Sequence, residues 1–294
     1  MTRKQFAVAC GFCLVAALAL SLLPGCAAKK GAPGGPSGAA TLEYRLPPGT
    51  PVTYKSTQTS TQTMEVMNQY INTDTKKAVV FTMAPGAMKD NKQSLTITVD
   101  SLSASITTPQ GDFSADAGQA IGKSFDMALT TMGEELDMSG ADLIQYSMGQ
   151  AGTRSISPDF QAMFPDLAGR PLKVGDTWTT TDTVDVDEAG MILKIITDNL
   201  NTFVGFEDLD GTKCARITTA SKGTVKGEGE QQGMKVILDT QLDGADIWFF
   251  APDRGLLAKL TSDISMSGTV AVGGAQGMSI PMKQQMKTEV VLIK

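Results

Sequence analysis

From residue 41 to the end, apolar and polar residues alternate with a period of two, the mark of strands that bury one face. In GLLAKLTSDISMSGTVAV, Leu256, Ala258, Leu260, Ile264, Met266, Val270 and Val272 share a face that only Ser262 and Gly268 interrupt. This predicts a long half-buried strand, bent at Gly268. The closing segment sets Met278, Ile280, Met282, Met286, Val290 and Leu292 against Lys283, Lys287 and Glu289. SLTITVDSLSASITT runs Leu95, Ile97 and Val99 in one phase, then Leu102, Ala104 and Ile106 in the other. Such a switch within one strand predicts a β-bulge at Asp100–Ser101. Turn signals fall at PQGD, DLDGTK, KGEGEQQG, LDGAD and APDRG.

Helical spacing is expected in one place. SGADLIQYSMGQAG carries Leu143, Ile144 and Met148 as an imperfect stripe. SPDFQAMFPDL offers Ser157 as N-cap and Pro158 at the first helical position, with Phe160, Met163 and Phe164 inward and Pro165 ending the turn. A helical insert over 139–168 would separate a first β half (41–138) from a second (169–294). The halves resemble one another: LPPGTPVTYKSTQT (46–59) matches LKVGDTWTTTDT (172–183), and KSFDMALTTMGEELDMSG (123–140) parallels DIWFFAPDRGLLAKLTSD (246–263). The expected fold is mainly β: an antiparallel, strongly curved sheet, half-barrel or sandwich, built from two similar halves with a short helical insert.

Composition narrows the chemistry. The 294 residues can bury a sizeable core. The formal charge is −6; Arg3 and Lys4 stand in a first segment of 25 residues without acids, so the remainder is near −8. An acidic body without grouped Lys/Arg excludes nucleic acid as a partner and loose adsorption to anionic lipid. Histidine is absent, which removes Ser-His-Asp and Cys-His nucleophile systems and HExxH zinc sites. Ser-x-x-Lys, Gly-x-Ser-x-Gly and the phosphate-binding Gly-x-x-x-x-Gly-Lys loop are absent too. Nothing supports catalysis, so a non-enzymatic protein without cofactor or metal is expected.

The N-terminus says where such a protein resides. MTRKQ is cationic, and FAVACGFCLVAALALSLL (6–23) is an apolar run that either anchors as a helix or serves as an export signal. LPGC (23–26) decides between them. It resembles the bacterial lipobox: an aliphatic residue, a variable position, a small residue, then cysteine. The resemblance implies a signal peptide over 1–25, cleavage between Gly25 and Cys26, and palmitate-type acyl chains on Cys26. Each buried methylene contributes about 0.8 kcal/mol, so several chains on one residue hold an acidic protein to a membrane. AAKKGAPGGPSGAA (27–40) then reads as a flexible tether running from the acylated cysteine. Ala27 follows the cysteine where Asp would retain a lipoprotein in the inner membrane, which implies the outer membrane, facing the periplasm. Cys10 and Cys13 fall within the signal; Cys214, in GTKCARITT, is expected to be buried and structural.

FPDLAGRPLKVGDTW, GTKCARI and IWFFAPDRGLLAKL resemble an uncharacterised family of exported β-rich bacterial lipoproteins, a domain of unknown function. The resemblance implies fold and envelope location and brings no catalytic residue.

Candidate sites are few. DVDEAG (185–190) begins like a calcium loop, but Ile196 occupies the position of the chelating glutamate. Glu134 and Glu135 are adjacent and would face opposite sides of a strand. Trp178, Trp248, Phe249 and Phe250 form either core or the wall of a ligand cavity. The scattered methionines do not have copper-site clustering, but Met suits apolar surfaces that accept varied ligands. Two functions therefore stand. In one, an apolar small molecule or lipid lies on a concave β face through Leu260, Met266, Trp248 and Phe250, under the 139–168 insert. In the other, the core is filled and the protein acts through envelope protein partners, reached by loops at 172–183 or 207–230.

Overall fold

The computed structural model describes residues 39–188, 190–231, 233–273 and 277–293. The segment expected to be a signal peptide, Gly25, Cys26 and the expected tether up to residue 38 lie outside the described residues.

Twelve strands form one antiparallel sheet that curls into a half-barrel. The first half contributes β1 (Val52–Val66), β2 (Gln69–Lys89), β3 (Lys92–Thr108), β4 (Gly111–Ser114), β5 (Ser124–Thr130) and β6 (Glu135–Leu136). An insert carries a separate hairpin, β7 (Gln145–Ser147) with β8 (Thr153–Ser155). The second half is a meander: β9 (Thr177–Glu188), β10 (Met191–Leu209), β11 (Thr212–Gln231), β12 (Met234–Ala251), β13 (Leu256–Val272) and β14 (Met278–Leu292). The spatial order is β6-β5-β3-β2-β1-β14-β13-β12-β11-β10-β9, with β4 on β3. The two halves thus join through β1 and β14, from Tyr54↔Leu292 to Met64↔Met282. β6 and β9 are left as the two edges.

Strands this long twist and coil, and small inward residues let the sheet curl tightly. On β11 the inward positions include Gly223, Gly227 and Gly229; a Cβ on Gly227 would collide with the Leu193 side chain across the strand pair. Tight hairpins follow the chirality rule for two-residue turns. Met67–Asn68, Asp90–Asn91 and Asp210–Gly211 all have both central φ angles positive, from 50° to 82°.

The predicted bulge is present: Val80 pairs with Ser101 and Phe81 with Val99, leaving Asp100 unpaired. Leu95, Ile97 and Val99 are buried before it, Leu102 and Ile106 after it. Several expectations need correction. Register runs unbroken through Gly268, and the irregularity in β13 lies at Ala258, between the pairs Phe249↔Lys259 and Phe250↔Leu257. LDGAD is no turn. It lies inside β12, bonded on both sides, because Leu242 and Asp246 continue the inward phase of Trp248 and Phe250. Most of KGEGEQQG is β11, and 207–230 is a strand pair rather than a loop.

The insert is not α-helical. It consists of 3-10 turns at Ser139–Leu143, Gly149–Ala151 and Ser157–Asp159 around the β7–β8 hairpin. Local hydroxyls compete with helix: Ser147 Oγ accepts from the Gly149 N–H at 3.1 Å, and Ser155 Oγ from the Ser157 N–H at 3.0 Å. Ile156, not Ser157, precedes the last turn, and Leu143 is exposed. Phe160, Met163 and Phe164 do point inward.

Two apolar clusters line the inner face. The first joins β1–β5 to the insert and to the Trp248–Leu257 end of the second half. Phe160 wedges edge-on between Phe81 and Phe125, with centroids 5.0 Å from each. Beside it, Lys77 Nζ and Asp159 Oδ2 form a buried ion pair at 2.5 Å, fastening the insert to β2. Residues 40–46 cross one end of the half-barrel, where Tyr44 N–H donates to Thr131 O and Arg45 N–H to Gly255 O. The second cluster, of Met64, Leu193, Val225, Leu238, Met266, Met282 and their neighbours, fills the other end.

Candidate functional site

The four residues expected to line an apolar site do not form one wall. Trp248 and Phe250 are wholly buried in the first cluster, and Leu260 lies in it too. Met266 belongs to the second cluster. Trp248 meets Trp178 edge-on at 6.2 Å, and Phe250 meets Tyr44 at 5.1 Å. These rings are occupied by protein on their faces and edges.

Between the two clusters the inner face turns polar. Alternation that delivers Phe203 and Ile217 to the first cluster also delivers Asn199, Asn201, Thr219 and Ser221 to the middle of the sheet. Trp248 Nε1–H donates to Thr219 Oγ1 at 3.0 Å, and the Thr219 hydroxyl donates to Asn201 Oδ1 at 2.6 Å. The Ser221 hydroxyl donates to Asn199 Oδ1 at 2.7 Å, and Asn199 Nδ2 to Asp182 Oδ2 at 2.6 Å. Elsewhere in this belt Gln284 Nε2 donates to Ser60 Oγ at 2.7 Å. Asp246 Oδ1, Ser262 Oγ, Gln62 Oε1 and Gln284 Oε1 are buried with no hydrogen-bond partner from the protein. Such atoms are costly in a dry interior, about 1–3 kcal/mol each.

The belt opens to the outside at the seam where the sheet edges face one another. Residues 160–168 form a strap across it. On one side, Glu135 of β6 accepts from the backbone N–H groups of Ala162 at 3.2 Å and Phe164 at 2.8 Å, while Leu167 N–H donates to Met132 O. On the other, Trp178 Nε1–H of β9 donates to Asp166 O at 3.0 Å. Tyr44 Oη–H donates to Pro165 O at 3.0 Å from beneath. Gly133 makes this approach feasible: φ is +112°, and a Cβ would stand 2.8 Å from Pro165 O.

Beside the strap lies an open cleft of about 980 Å³, lined by β5–β6, the strap and Thr180–Asp185 of β9. Behind it is a pocket of about 30 Å³ that shares Ala162, Phe164, Asp166, Thr180 and Asp182 with the cleft and ends at Asn199, Asn201, Thr219 and Asp246. Burial governs the acids here. It pushes the Glu135 carboxyl up to about 8, against the pull of the Phe164 N–H, with Asp166 and Asp182 adding to the rise. Asp166 is raised to about 6 by burial, then by Asp182 and Glu134. Burial likewise raises Asp182, against its Asn199 hydrogen bond, and Asp246, which Asp182 raises further.

Glu134 is exposed and Glu135 turns inward, as their adjacency in a strand implies. The importance of Glu135 is not visible from that pair. Asp182 and Asp246, by contrast, stand in phase with the apolar residues of their strands, and that phase is a readable signal. Among the described residues no group of three or more acidic or cysteine side chains has the spacing to hold a metal ion. Cys214 is buried and unpaired, and burial pushes its thiol up to about 11.

No protein-family model matches the chain, and no curated protein matches it. Solved structures it is similar to include an exported protein with a YMCC-like fold from Bacteroides fragilis, at 9% identity, covering 86% of this chain and 98% of that one with a TM-score of 0.25. Another is the β domain of the Bordetella autotransporter BrkA, at 7% identity, with 88% and 100% covered and a TM-score of 0.24. An outer membrane channel from Pseudomonas putida follows at 8% identity, with 85% and 97% covered and a TM-score of 0.22. Likeness this distant carries no argument about function or location.

Proposed function

We propose that this is an exported, non-enzymatic protein of the bacterial cell envelope, held by acyl chains on Cys26 to the outer membrane on its periplasmic side. Its core is filled, and it acts through the polar cleft at the seam of its sheet. The order of cationic start, apolar run and LPGC supports export and acylation. One observation carries the choice of a filled core over a bound apolar ligand: the face that would hold such a ligand is plugged by the chain itself, with Phe160 between Phe81 and Phe125 and with Trp248 and Phe250 at 0% exposure. The cleft is a concave surface open to exchange with a partner or small molecule.

The test is metabolic labelling with an alkyne-tagged palmitate in cells that express the full chain or Cys26→Ser. Label on the wild type alone, a mature N-terminus at residue 26, and sedimentation with outer membranes are expected. Label that survives Cys26→Ser overturns the anchor. Native mass spectrometry addresses the core separately: extra mass that organic extraction removes, beyond the acyl chains, would restore the apolar-ligand reading.

A further inference from the structure

The cleft is strongly one-sided in charge. Asp90, Glu134, Glu135, Asp166, Asp182 and Asp185 line it, with Lys92 as the single cation. Anions are disfavoured on that count. Its inner pocket adds a second, independent feature. Asp246 is more than nine-tenths buried, lines this pocket, and has one carboxylate oxygen with no partner. The neighbouring amide oxygens of Asn199 and Asn201 already accept from Ser221 and Thr219, and Asn199 Nδ2 donates to Asp182, so the belt positions Asp182 and offers no donor to Asp246 Oδ1. What the pocket wants is a donor with positive charge and little bulk. An ammonium group supplies three donors and no acceptor. About 30 Å³ accommodates something of the size of a water molecule, as an ammonium head is.

Resting on the reading of the cleft as the binding surface, we propose that it binds a linear aliphatic amine. One ammonium sits in the inner pocket between Asp182 and Asp246, and the chain lies outward along the cleft between the Glu135–Asp166 side and the β9 edge. Further ammonium groups on the same chain meet the rim acids. The groups that face the seated ammonium are Asp246 on β12, Asp182 on β9 and Asp166 on the strap, with Glu135 on β6 and Lys92 on β3 farther out along the cleft. Burial raises each of these carboxyls, Glu135 to about 8 and Asp166 to about 6, so an ammonium that favours their ionised form draws protons off into the buffer.

The experiment uses the full acylated chain in detergent and titrates spermidine by calorimetry at pH 7 in 150 mM salt, in two buffers of different ionisation heat. Glucose and calcium chloride serve as comparison probes. Saturable binding with proton release is expected, weakened at least tenfold in Asp246→Asn and in Asp182→Asn and unchanged in Asp253→Asn on the surface. Both inner substitutions preserve shape, and two of them guard against a folding failure in one. Spermidine binding that Asp246→Asn and Asp182→Asn leave intact overturns the proposal. Glucose binding that Glu135→Gln removes, without spermidine binding, overturns the amine while retaining the cleft. Calcium binding tighter than spermidine overturns it in favour of a metal. If none of the three probes binds, the amine falls, and with it the reading of the cleft as a small-molecule site.

Discussion

Phe160→Ala tests whether the insert is part of the core or only covers it. The ring is 1% exposed and touches Phe81 and Phe125 edge-on, each 5.0 Å away. Both neighbours sit on strands whose register is fixed over many pairs, so the space vacated has little means to collapse. Truncating a buried Phe costs about 3–5 kcal/mol, and rigid surroundings place this site near the top of that range. Each ring pair contributes roughly 0.5–1.5 kcal/mol, some of it already within that figure. A loss of about 4–5 kcal/mol is therefore expected, against a total stability on the order of 5–15 kcal/mol. For a chain of this size that lowers the midpoint of thermal unfolding by roughly 10–15 °C. The assay is urea unfolding followed by the fluorescence of Trp178 and Trp248, both buried in the same cluster. The urea dependence should keep its slope while the midpoint falls. A loss below about 1.5 kcal/mol would refute the reasoning, because a ring so removable cannot be the plug of a filled core.

Other outcomes follow from the same packing. Glu135 is raised to about 8 from an ordinary 4.5, so the folded chain keeps a proton that the unfolded chain has released. Its contribution to stability is present below about 4.5 and is lost as pH climbs toward about 8; Glu135→Gln should flatten the fall in urea midpoint between pH 5 and pH 8 relative to wild type, and parallel curves would sink the idea. Lys77 is opposed by burial but held above its usual value by Asp159 and Tyr146. Lys77→Met strands the Asp159 charge and should cost about 3–5 kcal/mol in the same urea assay, with most of it recovered when Asp159→Leu is added; additive losses would argue against a coupled pair. Cys214 should resist a thiol reagent at pH 8 until denaturant is added, and rapid native labelling would contradict its burial. Deleting Asp100 removes the unpaired residue and leaves Val99, Leu102 and Ile106 on one face of a regular strand with its pairs to β2 kept, so the variant should stay folded in urea titration; aggregation or loss of most of its stability would show that the bulge itself is required.

The sheet was legible because alternation is local. Leu95 to Val99, the switch at Asp100, and the faces of β13 and β14 follow from period two alone. The insert was not. Its Phe160, Met163 and Phe164 read correctly as inward, but serine hydroxyls and glycines settle whether such a segment forms helix or isolated turns, and apolar spacing does not record that competition. Turns built on Met67–Asn68 and Asp90–Asn91 lack the glycine or proline that usually announces a turn. The seam was hidden for another reason. Glu135, Asp182 and Asp246 are far apart in the chain and meet only when the sheet curls; reading LDGAD as a turn removed Asp246 from the phase it shares with Trp248 and Phe250.

The pairing of β1 with β14 has a consequence for how the chain reaches its folded state. The first long strand has residues 282–292 as one of its two neighbours, so the middle of the sheet stays unpaired until the last residues are available. Contacts so distant in sequence form slowly. During synthesis or passage through a narrow conduit, the leading strands therefore wait with one side unpaired, and completion comes as a single late event. A chain arranged this way is exposed, while it waits, to anything able to pair with the open side of β1.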